Sequence, residues 1–511
     1  MGHLIRERAE LTPDRPFLSF GDRTLSFGEV DQVSNQVANA LATLGIRVGD
    51  RVAIMLPNGL DFPTLWLGVA KLGAVVVPCN PSYQAADLGY ILRDSGARLI
   101  IVDRERLDVV TRVKADAPAL ERVLPLGRRS GELLPMIAAA PDGWSMDHLD
   151  AGFLVTLQYT SGTTGFPKGC MLTHEFWLRI AGATGETGLG LGPDDVNMVV
   201  TPWYYMDATW NMLLCADKGM RLVILPRFSA STFWKSVQEN GVTYCYCLGV
   251  MPVVLLKQPE DPAVERGHRL KMVSCSGIVP ELHAELERRW GVPWREAYGT
   301  TEVGGPLLVP FDDGASVGSG ALGRPINGYD AKVVDTDGRD VPVGETGELL
   351  VRGPGLMRGY WNNPEATAAW LVDGWARTGD LMFKDDRGYF HIVGRLKEMI
   401  RRGGENVAAA EVEAVLAQHP AVRGAACVAV KDAIRGEEVK AFVQLQPGHS
   451  PADTPPESIL GFCRNRLAPF KVPRFLTFID AFPLTPSQRV EKHKLSNDQS
   501  GAYDAITKAW N

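Results

Sequence analysis

Gln158-Tyr159-Thr160-Ser161-Gly162-Thr163-Thr164-Gly165-Phe166-Pro167-Lys168-Gly169 follows the largely apolar run 153–157. From Thr160 to Gly169 it gathers four Ser or Thr hydroxyls, three glycines and a lysine within ten residues. Glycines let backbone N–H groups close on an anion, hydroxyls add donors and Lys168 supplies a point charge, so a strand entering such a loop suits the wrapping of phosphate. Taken alone, the stretch also fits a solvated surface turn. Working outward, short apolar runs that read as buried strands recur at 51–56, 99–102, 198–201, 221–225 and 272–275, with helical stretches between them. That alternation predicts parallel, doubly wound α/β sheets.

From about Ala331 the texture changes to alternating strands with turn signals: Ala331-Lys332-Val333-Val334-Asp335, the turn Thr336-Asp337-Gly338-Arg339, and a further strand over 347–351. Beyond Arg395 a shorter α+β stretch follows, with a helix predicted over 410–417 and a strand over 439–445. The boundary is placed there, giving units 1–395 and 396–511. A chain of 511 residues exceeds what one core supports, and 45% hydrophobic with 22% charged residues is the composition of an ordinary globular protein. Fifty-three basic against sixty acidic residues give a net charge of −7 with no long basic run, which excludes a nucleic-acid footprint. Eight cysteines are too few for a disulfide scaffold, the amino terminus is charged where a signal peptide is apolar, and no uncharged run spans a membrane. A cytoplasmic location without membrane insertion is expected, and self-association is left open.

Three local matches fail on context. Gly318-Ser319-Gly320-Ala321-Leu322-Gly323 has dinucleotide-fingerprint spacing, but Pro325 follows at once and no strand leads in. Gly314-Ala315-Ser316-Val317-Gly318 has the nucleophile-elbow spacing in the same loop, without a strand-to-helix setting. A Walker A loop needs a Gly-Lys step, which the chain lacks.

The phosphate-type loop is followed, in order, by Tyr298-Gly299-Thr300-Thr301-Glu302, Gly347-Glu348-Leu349 with Arg352-Gly353, Tyr360-Trp361, and Gly374-Trp375 with Arg377-Thr378-Gly379-Asp380. Gly394-Arg395-Leu396-Lys397-Glu398 and Gly403-Gly404-Glu405-Asn406-Val407 complete the series. In these motifs, from about residue 10 to 495, the chain resembles the adenylate-forming superfamily: acyl-CoA synthetases, firefly luciferases and the adenylation domains of peptide synthetases. The resemblance implies a large N-terminal AMP-binding domain of two doubly wound α/β subdomains plus a β-barrel-like subdomain, and a small mobile α+β C-terminal domain. It also implies an AMP-forming acid–CoA ligase, in which a carboxylate and ATP give acyl-AMP and pyrophosphate, and coenzyme A then displaces AMP.

By that resemblance Thr160, Ser161, Gly162, Thr163, Thr164, Gly165 and Lys168 hold the β- and γ-phosphates. Thr301 donates to the α-phosphate and Glu302 coordinates Mg²⁺, for which hard oxygen ligands are suited. Asp380 accepts the ribose hydroxyls, Arg395 binds the same sugar or its phosphate, and Tyr298, followed by Gly299 and Thr300, stacks on adenine near Gly277. Lys397 occupies the hinge about which the small domain alternates between two poses, and Gly403 and Gly404 line the pantetheine passage. Arg401 and Arg402 are equally CoA-phosphate contacts or a solvated basic pair. Near the end, Gln488-Arg489 stands where the family has Gly-Lys, so the charge between carboxylate and α-phosphate is expected from Arg489, with Lys492 or Lys494 as substitutes.

Pro202-Trp203-Tyr204-Tyr205-Met206-Asp207-Ala208-Thr209-Trp210 corresponds to the segment that gates the acyl pocket, with Tyr205 at the gate and Trp203, Tyr204, Asp207, Trp210, Tyr244 and Tyr246 around it. It is most similar to the crotonobetaine/carnitine-CoA ligase branch, where aromatic faces and a carboxylate suit a quaternary ammonium. The same cluster suits an aryl or alicyclic acid. A stand-alone adenylation enzyme that loads a carrier protein and a nucleotide-binding pseudoenzyme are the alternative functions.

Overall fold

The computed structural model describes residues 1–127, 133–160, 167–402, 405–432, 435–484 and 490–511. Ser161, Gly162, Thr163, Thr164, Gly165, Gly403, Gly404 and Arg489 lie outside the described residues. Among the described residues the strands form three sheets.

The six-stranded sheet runs in the order Arg122–Leu126, Leu99–Asp103, Arg51–Met55, Val75–Pro78, Leu154–Thr160 and Lys168–Thr173. Its pairs are parallel except the last, an antiparallel hairpin. Val75–Pro78 is buried throughout, and Leu99–Asp103 everywhere but its last residue, as expected of parallel strands covered on both faces. The helix Phe27–Thr43 is started by a capping box in which Ser26 and Glu29 each accept the other's backbone N–H.

In the second α/β sheet, Pro16–Phe20, Arg221–Ile224, Val196–Val199, Tyr244–Leu248, Met272–Ser276 and Trp294–Thr300 run parallel. The sequence put one strand at 198–201, but it starts two residues earlier because Val196 pairs with Arg221. Its far end is turned out toward Asn58, whose amide donates to Thr201 O at 3.1 Å. From Trp294–Thr300 the pairing turns antiparallel through Gly304–Leu308 and Ala321–Pro325 into Phe390–Arg395, Trp375–Lys384, Gly347–Arg352 and Asp330–Val334. The β-rich region therefore continues the α/β sheet. The Gly-rich stretch 318–323 runs from a 3-10 turn into a strand, with no strand-to-helix crossing.

After Arg395 a 3-10 turn, Leu396–Glu398, leads into the third sheet. That sheet is built on Val422–Asp432 paired with Gly436–Leu445, and it shares a core with helices Ala409–Ala417 and Pro456–Arg464.

The antiparallel turn-back at Thr300 aims the Thr300-Thr301-Glu302 segment, and it depends on Gly299. A Cβ there would lie 2.2 Å from Gly304 O, a backbone atom that cannot yield without breaking the pairing. Gly299→Ala is expected to cost about 1–3 kcal/mol, the scale of overpacking, read as a lower urea midpoint. An unchanged midpoint would show that the turn relaxes freely.

Candidate functional site

Thr160 and Lys168 face each other in register at the mouth of the hairpin that brackets residues 161–166. The hairpin is fixed from behind. Tyr159 Oη donates to Asp94 Oδ2 at 2.6 Å, and Trp361 Nε1 donates to Asp94 O at 3.0 Å. Trp361 N donates to Gly169 O and Met171 N to Gly359 O, at 2.8 and 2.9 Å, so residues 357–361 lie along the outgoing strand as a strap. The strap's other side holds the second motif, where Met357 N donates to Glu302 O at 2.8 Å. Tyr360 Oη donates to Glu302 Oε1 at 3.1 Å, and Lys168 Nζ lies 4.9 Å from the centre of the Tyr360 ring. Lys168 and Glu302, 134 residues apart in sequence, thus meet through one aromatic side chain.

Asp380 sits opposite Arg395 on the antiparallel pair Trp375–Lys384 and Phe390–Arg395, at 0% exposure. Tyr298 Oη donates to its Oδ2 at 2.5 Å and Arg395 Nε pairs with Oδ1 at 2.6 Å. Burial, then the charge of Asp380, pushes the Tyr298 hydroxyl well above its ordinary pKa, so it remains a donor. The strand is held in place next to them: Thr378 Oγ1 donates to Leu349 O at 2.8 Å and accepts Asp380 N at 3.1 Å, while Arg377 pairs with Glu348.

Behind Tyr298 lies a carboxylate that no motif singled out. Glu296, 4% exposed, accepts Ile278 N at 2.5 Å and Gly277 N at 3.0 Å. It fixes the turn that the sequence assigned beside adenine.

On the acyl side, the Tyr204 and Tyr205 rings lie 4.7 Å apart, and Gln158 Nε2 donates to Tyr204 O at 2.8 Å. Trp210 meets Tyr246 edge to face at 5.2 Å. Tyr246 Oη donates to Ser276 Oγ at 2.9 Å, and Ser276 passes the bond on to Ala297 O. Burial first and then the charge of Asp207 raise the Tyr246 pKa well above its ordinary value. Trp203 and Tyr244 belong to the hydrophobic core, Trp203 stacked on Phe62 at 5.9 Å.

In the C-terminal part, Lys397 falls in the 3-10 turn directly after Arg395. Lys492 bridges Glu398 and, at 2.7 Å, Glu413, while Lys494 pairs with Glu491 at 2.6 Å. Arg402 corrects the reading of an exposed basic pair. It is buried, its Nε pairs with Glu438 at 2.5 Å and its Nη1 donates to Phe470 O and Val472 O, so only Arg401 remains exposed.

Residues 5–361 match the AMP-binding enzyme family, and residues 411–489 match the AMP-binding enzyme C-terminal domain. The chain belongs to the AMP-binding enzyme family. It is 33% identical to the crotonobetaine/carnitine–CoA ligase of Salmonella heidelberg (strain SL476) over 93% of each chain. The ATP-bound structure of MatB from Rhodopseudomonas palustris superposes with a TM-score of 0.87 at 27% identity, covering 96% of this chain and 97% of that one. The anthranilate CoA ligase AuaEII in complex with anthranoyl-AMP gives a TM-score of 0.87 at 27% identity, covering 96% of each. No helix among the described residues is long and apolar enough to cross a membrane.

Sequence reasoning missed Asp94, Glu296 and the hydroxyl of Tyr360. Tyr360 stood in a quoted motif without a role, whereas Asp94 and Glu296 act through backbone and hydroxyl partners that no spacing announces. Burial pushes the Glu296 carboxyl up to about 8 from 4.5, against the pull of the Ile278 and Gly277 N–H groups. Between those values the folded protein holds a proton that the unfolded chain releases, so stability falls as pH rises through the window and is level above it. Glu296→Gln is expected to flatten this fall by an amount on the order of a few kcal/mol. Parallel urea curves for variant and wild type from about pH 5 to about pH 8 would overturn the assignment.

Proposed function

We propose that this AMP-forming acid–CoA ligase acts on a carboxylic acid that carries a fixed positive charge, of the betaine type. In the reaction, a carboxylate oxygen attacks the α-phosphorus of ATP and the bond to pyrophosphate breaks. The sulfur of coenzyme A then attacks the acyl carbon and AMP leaves. Two anions must meet in the first step, so the site has to supply positive charge and donors where the transferring oxygens gather. The observation that carries the reading is the convergence of Lys168 and Glu302 on Tyr360, together with the Asp380–Tyr298–Arg395 group.

In this reading the 160–168 loop binds the outer phosphates, Thr301 donates to the α-phosphate, and Asp380 with Arg395 orients the ribose. Tyr298 and the Gly277 turn flank adenine. Glu302 offers a hard carboxylate oxygen, and Mg²⁺ is commonly held by one or two carboxylates with water and phosphate oxygens completing its shell, so the donor set fits. Bound there, Mg²⁺ supplies neutralisation of phosphate charge. Residues 396–511 are the mobile unit, turning at Lys397 so that Arg489 faces the carboxylate in the first step and the Gly403-Gly404 segment lines the thiol path in the second. Eight free, buried cysteines favour a reducing cytoplasm.

The substrate class rests on the Trp210–Tyr246 contact, on the negative charge of Asp207 felt at Tyr246, and on the relative named for crotonobetaine and carnitine. A carboxylate among aromatic faces favours a quaternary ammonium over a neutral group of the same shape. Pyrophosphate release across a panel of carboxylic acids, with and without coenzyme A, tests the whole reading. Asp207→Asn is expected to lower kcat/KM for a betaine-type acid by about 10-fold or more while sparing its uncharged isostere. Equal losses on both acids would remove the charge argument.

Arg489→Ala is expected to slow acyl-AMP formation by about 10² to 10³, the scale for losing one electrostatic stabiliser. Thioester formation from preformed acyl-AMP should survive, because that half-reaction uses the other pose. Near-normal pyrophosphate release by this variant would end the proposal for Arg489.

A further inference from the structure

Lys168 and Glu302 carry opposite charges and both contact Tyr360, and among the described residues no ion pair joins them. Tyr360 stands between: its ring face receives the ammonium at 4.9 Å and its hydroxyl donates to the carboxylate at 3.1 Å. We propose that Tyr360 is a positioning residue that keeps Lys168 and Glu302 from collapsing into an ion pair, so that nucleotide phosphate and metal each meet an unspent charge. The inference rests on the ligase reading for the identity of those two ligands.

The geometry makes Tyr360 a fixed spacer. Its backbone N donates to Thr367 Oγ1 at 2.9 Å, and its ring meets Trp370 edge to face at 6.3 Å. Tyr360 also bridges Cys170 of the outgoing hairpin strand, while Trp361 and Gly359 bond to that strand on either side. Gly359 takes a φ of +137°, and a Cβ there would lie 2.6 Å from Thr367 Cγ2, so the approach of the strap to the helix Pro364–Trp370 requires glycine. Neither neighbour can draw the ring aside without unpairing the strap. A donor to one carboxylate oxygen orients Glu302, as outer partners commonly orient metal ligands. A cation on a ring face keeps its charge, whereas one paired with a carboxylate is neutralised before the phosphate arrives.

Two variants separate the hydroxyl from the ring. Tyr360→Phe keeps the face under Lys168 and removes the donor to Glu302. It is expected to weaken Mn²⁺–ATP binding in titration calorimetry about 10-fold and to raise the Mg²⁺ midpoint of pyrophosphate exchange by a similar factor, with ATP binding in EDTA unchanged. Tyr360→Leu removes both contacts and is expected to weaken ATP binding in EDTA as well. Wild-type metal-dependent binding by Tyr360→Phe overturns the proposal. Equal losses of metal-free binding by the two variants, matched by equally lowered urea midpoints, also overturn it, since the residue would then be structural only. Failure of the wild type to release pyrophosphate with any acid would sink the ligase reading alone, because nucleotide binding is measured without an acid.

Discussion

A carboxylate at zero exposure is a demand that the surrounding chain must meet, and Asp380 is that group here. Removing it from water costs several kcal/mol unless a cation and donors replace the lost solvent. Arg395 comes from the adjoining strand and Tyr298 from the end of the second α/β sheet, so the requirement ties one antiparallel strand pair to a strand 82 residues earlier in sequence. Arg395 is also the last residue before the turn into the third sheet. The same interaction therefore fixes the point from which the C-terminal part departs.

The strap at residues 357–361 does for Lys168 and Glu302 what Asp380 does for Tyr298 and Arg395. One backbone segment bonds the hairpin on one edge and Glu302 on the other, so the spacing between the hairpin and Glu302 is set by main-chain geometry. Short side chains and glycines along this path follow from the close approach of backbones. Gly169 lies under the Tyr159 ring and Gly299 against Gly304, and both motif glycines are there for packing as much as for access of a ligand.

Much of this was legible in the sequence because the information is local. The apolar runs at 51–56, 99–102 and 272–275 became buried strands within a residue or two, since a run covered on both faces needs no partner to declare itself. The continuity of the β-rich region with the second sheet was not legible: it depends on the antiparallel turn at Thr300, which is set by contacts rather than by composition. Motif residues such as Lys168, Glu302 and Asp380 were found as positions, and only the fold shows that Lys168 and Glu302 meet through Tyr360. Arg402 was misread because its partner, Glu438, lies 36 residues on in a different strand. A buried ion pair leaves no mark in the spacing around either member.

The same long-range pairing bears on the arginine that replaces the family's lysine. Lys492 is the nearest alternative cation among the described residues, but it is half-buried between Glu398 and Glu413, and Glu413 also accepts Cys427 N at 2.5 Å. Burial works against the Lys492 ammonium, yet the two carboxylates outweigh it and raise its pKa. Swinging it toward a substrate would leave the Glu413 carboxylate buried without its cation, a loss that no single new contact to a phosphate offsets. Lys494 is held by Glu491 and exposed, where its charge is screened by solvent. Of the three cations the sequence offers in this segment, Lys492 is engaged in a buried pairing and Lys494 in a local exposed one, which in the proposed reading leaves the chemistry to Arg489. The guanidinium suits that place: it stays charged in any surroundings and can reach two oxygens at once, one from each of the anions that must be joined.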